Sequence, residues 1–255
     1  MSLFNLKNKS ILITGSSKGI GKAIAFQCAE HGAKVIISSR KSDVCIQTAD
    51  EINTKVGKKV AYPIPANISE DNQLENLVNE TIKKIGKVDV LVCNAATNPF
   101  MGSMLDMPIE KFDKVMHNNI RSNQVLCNLV LPDMVKRKDG SIIIISSIAA
   151  IKGSAILGAY NISKAADVMI VKNIAAEFGK KNIRANSIAP GLIKTDFAKA
   201  LWENPEILKS VLSSTPMQRI GQPDEIAGVA VMLASEAGNY INGQTIVVDG
   251  GTTIT

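Results

Sequence analysis

Short, mainly apolar runs alternate with longer stretches of helical spacing along almost the whole chain. Runs of strand length fall at residues 10–13, 35–37, 60–63, 88–93, 142–145 and 184–188 and at Thr245–Val248. Between them the apolar residues recur at helical intervals, first in residues 22–30, which lead to Gly32. Consecutive apolar positions suit strands buried on both faces, and their alternation with helices predicts a parallel sheet with helices on either side. The expected fold is a doubly wound α/β sheet forming one domain over residues 1–255. Ligands of such sheets bind outside the carboxyl ends of the strands, where Gly15, Arg40, Asn94, Ser147 and Pro190 would gather.

Two local patterns carry chemistry. Thr14-Gly15-Ser16-Ser17-Lys18-Gly19-Ile20-Gly21 follows the first strand and precedes the first helix. Glycines at 15, 19 and 21 allow a tight turn and a close backbone approach to a pyrophosphate, which the amino end of the helix favours. The spacing is G-x-x-x-G-x-G rather than G-x-G-x-x-G. Further on, Tyr160-Asn161-Ile162-Ser163-Lys164 stands thirteen residues after Ser147, which itself follows the run 142–145. On a helix, Tyr160 and Lys164 share a face, so an ammonium sits beside a phenol and favours its ionised form. A free tyrosine titrates near about pH 10, and a neighbouring cation fits it to exchange protons at neutral pH. Ser147 at a strand end could hold a carbonyl oxygen for it.

With both patterns present, the chain resembles the short-chain dehydrogenase/reductase family, with its Rossmann-like fold, over nearly its whole length. Residues 14–21 look like the family's T-G-x-x-x-G-x-G and Asn94-Ala95-Ala96 like its N-A-G. Ser147, Tyr160, Lys164 and Asn119 look like its catalytic set, and Pro190-Gly191 with Thr195 like its P-G turn. Residues 38–41, 94–100, 146–150 and 189–195 further resemble the NADPH-dependent carbonyl (retinal) reductases of animal peroxisomes. The resemblance implies reduction of ketones and aldehydes, with Tyr160 protonating the oxygen, Ser147 holding it, and Lys164 lowering the tyrosine pKa and bonding the nicotinamide ribose. Asn119 would support a water chain that resupplies protons through Lys164. Asn118 departs from the pattern, standing where the family is usually apolar; Cys93 and Ala96 depart from N-N-A-G.

The resemblance also implies cofactor contacts from Gly15, Ser17, Lys18, Gly19, Ile20 and Gly21, and from Ser39, Arg40, Asn67 and Ile68. Asn94, Ala95, Ala96, Tyr160, Lys164, Pro190, Gly191, Ile193 and Thr195 complete the set. Cofactor choice turns on the end of the second strand, where an acid bonds the ribose 2′-hydroxyl of NAD and an arginine accommodates the 2′-phosphate of NADP. The chain has Ser38, Ser39 and Arg40, with no acid before Asp43. Lys18 could add a second cation, so NADP(H) is the expected cofactor and NAD(H) the lesser one. Asn67 would keep the adenine contact that many relatives make with Asp.

Composition narrows the picture. A 45% hydrophobic content over 255 residues suffices for a large core. The net charge of +6 is spread out, and its densest run, Lys136-Arg137-Lys138, reads as a solvated helix end rather than a nucleic-acid patch. Cysteines 28, 45, 93 and 127 lack C-x-x-C spacing, and His31 and His117 are the only histidines, so no metal site or disulfide framework is expected. Cys28 and Cys127 read as small core residues. No apolar stretch reaches the length of a signal or a membrane span. The ending Thr253-Ile254-Thr255 is not a peroxisomal S-K-L address, and a cytoplasmic location is expected.

Substrate choice is expected from the loop 97–107 and from a lid at 192–217, read as helical over 196–216 with Trp202 as its substrate contact. A homotetramer is what the resemblance implies. Three alternatives compete: a 3-oxoacyl-carrier-protein reductase, whose docking pair would need an arginine where Ala176 stands beside Arg137; an NAD-dependent alcohol dehydrogenase, opposed by Arg40; and a catalytically silent nucleotide-binding scaffold, opposed by the intact catalytic set.

Overall fold

The computed structural model describes residues 2–255. Its strands are β1 (Ser10–Thr14), β2 (Lys34–Ser38), β3 (Ala61–Pro63), β4 (Val90–Cys93), β5 (Gly140–Ile145), β6 (Ile183–Pro190) and β7 (Thr245–Val248). They form one parallel sheet in the order β3-β2-β1-β4-β5-β6-β7. The pleat divides each apolar run between two cores. Ile11, Ile13, Ile143 and Ile145 face one, while Leu12, Ile142 and Ile144 face the other. A run with no polar alternation is what such a two-sided strand needs.

Helices α1 (Gly19–Glu30), α2 (Ser42–Val56) and α9 (Pro223–Ala234) cover the first face with Ile24, Ile52 and Ile226 among others. Helices α3 (Asp71–Ile85), α5 (Ser122–Arg137) and α6 (Gly158–Phe178) cover the second with Leu74, Leu126 and Val171. Short helices α4 (Ile109–Met116), α7 (Lys199–Trp202) and α8 (Pro205–Ser213) complete the set. The sheet reverses its winding between β1 and β4, and the crevice at that switch is where such folds bind ligands.

Three expectations need correction. First, β4 starts at Val90 rather than residue 88; the Asp89 side chain just before it accepts from the β1 amide of Ser10 at 2.9 Å and pairs with cations. Second, one of those cations is Arg137, which is not a solvated helix end. Its guanidinium reaches Asp89 at 3.2 Å and the Val88 carbonyl at 2.8 Å, tying the end of α5 to the start of β4. Third, residues 196–216 are not one helical stretch. Pro205 lacks the N–H that would continue α7, and Asn204 caps a new helix by accepting from Glu206 and Ile207.

All four cysteines are buried and free, Cys45 and Cys93 as well as the two expected. Among the described residues there is no cluster of side chains suited to a metal and no helix long and apolar enough to cross a membrane.

Candidate active site

The glycine turn is stitched into the sheet from both sides. The Thr14 hydroxyl accepts from the amides of Asn94 (3.0 Å) and Ala95 (3.1 Å), and the Asn94 side chain donates to the carbonyls of Thr14 and Gly15. Asn94 thus braces the turn with the group that sequence reading assigned to the cofactor. Gly15 has φ +64°, and a Cβ on Gly21 would fall 2.5 Å from the Gly15 carbonyl oxygen. No other residue fits the turn at this packing. A Cβ on Gly19 would press on the Thr195 methyl at 3.2 Å, so the P-G segment lies directly against the turn. Ser17 is fixed through its carbonyl by the Thr48 hydroxyl, and Ile20 packs on the core beneath. The opening amides of α1 have no helical acceptor and remain for a phosphate.

Arg40 is exposed just beyond β2 and makes no ion pair or hydrogen bond among the described residues, and Ser39 hydrogen-bonds Cys45. Lys18 is not similarly free: it pairs with Asp196 at 3.2 Å, an exposed contact that draws the lid segment toward the turn. Asn67 uses its acceptor on the Ser69 amide, which leaves its amide donor open, and Ile68 packs on the second core. Ala96 lies in the half-buried loop after β4. Pro190 ends β6, and Gly191 approaches Asp249 so closely that a Cβ would meet its Cα at 2.8 Å. The Ile193 side chain is buried in the first core; its own N–H has no partner among the described residues because the bridge to Gly221 uses Lys194 and Gly221.

The residues expected to be catalytic sit on β5, α6 and a break in a long helix. Ser147 follows β5 and caps a single 3₁₀ turn by accepting from Ala149. Ser146 donates to the Lys164 carbonyl at 2.8 Å, and Lys164 Nζ donates to the Ile145 carbonyl at 2.8 Å, so the strand end and the middle of α6 are locked together. Lys164 Nζ lies 5.7 Å from the Tyr160 ring centre, on the shared face that the spacing predicts. Burial disfavours the charged ammonium, but the neighbouring Asp167 carboxylate and Tyr160 outweigh it and hold Lys164 above the ordinary lysine value.

Between α4 and α5 the helix takes one π-helical turn, His117–Arg121. Such a turn inserts an extra residue and re-aims side chains. Here Asn118 and Asn119 both turn inward and are buried. Asn118 accepts from the Ser69 hydroxyl at 2.9 Å and donates to Thr97 at 3.4 Å, which explains a polar residue where the family is usually apolar. It joins the loop after β3 to the loop after β4. The Asn119 side chain accepts from the Thr97 amide and donates to the Thr97 carbonyl and the Ser163 hydroxyl. Both of its side-chain N–H donors are therefore engaged with protein, while Oδ1 keeps a second lone pair.

The lid places two aromatic side chains differently. Trp202 donates its indole N–H to the Thr195 carbonyl at 2.9 Å, which makes it a brace for the P-G segment. The aromatic ring that meets Tyr160 is Phe197, exposed and 6.1 Å away between ring centres. Nothing in the sequence ranks Phe197 above Trp202; only the break before α7 turns it toward the site.

A family model described as enoyl-(acyl carrier protein) reductase, adh_short_C2, matches residues 15–253. "Dehydrogenase/reductase SDR family member 4" of Bos taurus is 42% identical over 250 residues, covering 97% of this chain and 88% of that relative. The chain belongs to the short-chain dehydrogenase/reductase family. This short-chain dehydrogenase/reductase superposes on a 7α-hydroxysteroid dehydrogenase complexed with NADH and 7-oxo glycochenodeoxycholic acid, with TM-score 0.92, 38% identity, and coverage of 98% and 96% of the two chains. A gluconate 5-dehydrogenase from Burkholderia cenocepacia in complex with NADP and tartrate gives TM-score 0.94 at 30% identity, covering 99% and 98%. Short-chain dehydrogenase/reductases are oxidoreductases that use NAD(P)(H) and act on small molecules, and so does this one.

Proposed function

We propose that this oxidoreductase reduces ketones or aldehydes to alcohols, preferring NADPH, with Tyr160 as the proton donor. The observation that carries the reading is the Tyr160–Lys164 face on α6, locked to the end of β5 beside Ser147. The nicotinamide supplies the hydride when bound. Tyr160 gives its proton to the developing alkoxide, and Ser147 holds that oxygen in line. Lys164 spends two of its three N–H donors on Ile145 and Asp167, which leaves one for Tyr160 or a ribose hydroxyl. The glycine turn, the free Ile193 amide and the Thr195 segment fit a dinucleotide; Arg40 without an adjacent acid favours a 2′-phosphate.

The lid is residues 192–217, with Phe197 beside the reacting group. Assembly as a homotetramer is part of the reading, supported by Ile162 and Met169 exposed on α6. So is a cytoplasmic location, supported by four unpaired thiols. A panel of aliphatic, aromatic and steroid ketones, diketones, retinal and 3-oxoacyl thioesters, followed by NADPH absorbance, tests the activity. In Tyr160→Phe, turnover is expected to vanish while NADPH binding, read by its fluorescence, stays near the parent value. Turnover within tenfold of the parent would overturn the assignment.

A further inference from the structure

Behind Lys164 lies a carboxylate that the proposed chemistry does not use. Asp167, one turn further along α6, is fully buried, and its Oδ2 accepts from Lys164 Nζ at 3.0 Å. Its Oδ1 accepts from the Asn123 side chain at 2.9 Å, and the same Asn123 amide donates to the backbone carbonyl of Asn119 at 2.7 Å. One continuous chain of hydrogen bonds therefore runs from Lys164 through Asp167 and Asn123 to Asn119.

A buried charge is retained only where partners hold it, because its desolvation costs several kcal/mol, on the order of what a single ion pair returns. Burial pushes Asp167 above the ordinary carboxylate range, with Lys164 and Asn123 opposing that shift. Both oxygens receive N–H donors and neither has an acceptor to donate to, which is the bonding pattern of the ionised form. We propose that Asp167 is a positioning residue for the Tyr160–Lys164 pair: held by Asn123, its carboxylate fixes the ammonium and sets the pH at which that pair gives up a proton.

The inference rests on the reading of Tyr160 as proton donor. Its sign does not depend on which member of the pair gives up the proton. A fixed anion beside the pair opposes loss of a proton from either member. The other titratable groups facing Lys164 are Cys93 on β4 and, beside it, Cys127 on α5. The hydrogen bond with Cys127, and then burial, keep Cys93 well above the usual thiol range, so it stays neutral. From β5 and the π turn come only Ile145, Ser146 and Asn119, none of which titrates.

Carbonyl reduction needs the protonated pair, so kcat/KM falls as pH rises through the pair's titration. Removing the anion in Asp167→Asn, which keeps the shape and an acceptor, should move that alkaline limb to lower pH by about one unit. An unmoved limb, or one moved to higher pH, overturns the inference. Thermal melting and NADPH fluorescence establish that the variant is folded. Should it not fold, Asp167→Leu with Asn123→Leu removes both partners together, and the same downward shift is required of it. Tyr160→Phe separates the two claims. If that variant is inactive and the Asp167→Asn limb does not move, only the role of Asp167 falls. If Tyr160→Phe turns over normally, the proton-donor reading falls and takes this inference with it.

Discussion

Among the described residues no carboxylate pairs with Arg40, which carries its charge past the end of β2, and that isolation is what makes a selective effect measurable. A charge-assisted bond to phosphate is worth roughly 1.5–3 kcal/mol, about 10- to 150-fold in affinity. Arg40→Ala is expected to weaken NADPH by that factor and to leave NADH nearly unchanged, and Arg40→Asp should go further by repelling the phosphate. Fluorescence titration with both cofactors checks it; equal losses would remove Arg40 from cofactor choice. Lys18 should matter less, since Asp196 already accepts its ammonium. Single residues also mark where sequence reading stops. Tyr160, Lys164 and Ser147 are legible because their relation is local, four residues on a helix and a strand end upstream. The partners of Asn118 are 49 and 21 positions away, and Asp167 owes its meaning to Asn123, 44 positions back. No spacing rule connects such pairs.

Elements were legible to the degree that one face of burial defines them. The β5 run of isoleucines is unmistakable, whereas the contacts of Asp89 before β4, to Ser10 and Arg137, join distant segments. The π turn at His117–Arg121 offsets the helical phase by one residue, a shift hard to read beside a helix as short as α4. The lid shows the same limit: Pro205 is a visible helix start, but the direction in which Phe197 then points is a matter of tertiary structure. Helices α7 and α8 bury no residue completely, so they are the least anchored part of the fold. Phe197→Ala should accordingly change kcat/KM unequally across carbonyls, by up to about 3 kcal/mol for bulky ones and little for small ones. Trp202→Ala, which removes the brace on Thr195, should lower kcat/KM for all of them alike. The reverse pattern, selectivity lost with Trp202 and a uniform change with Phe197, would return the substrate contact to Trp202.

For the molecule as a whole, the strand order decides which tasks can share a segment. The apolar runs and their alternation with helices make the parallel, two-faced sheet readable in advance, since no other arrangement buries every run. The order β3-β2-β1-β4-β5-β6-β7 then puts the glycine turn, Arg40 and Asn67 on one side of the switch between β1 and β4. Ser147, Tyr160, Lys164 and the lid lie on the other. The two halves share a core, since β1 pairs with β4 and α1 packs on α9; around the site they touch at Thr14 with Asn94, Gly19 with Thr195 and Lys18 with Asp196. A protein divided in this way should accept redesign one half at a time. Combining Arg40→Asp with Phe197→Ala is expected to multiply their separate effects on kcat/KM to within about twofold, the scatter usual for uncoupled sites. A larger departure, measured over the same carbonyls with both cofactors, would mean that the three bridging contacts transmit more than position. Independence of this kind gives one sheet a way to keep its coenzyme while its substrates diverge, or to exchange the coenzyme while the substrates stay.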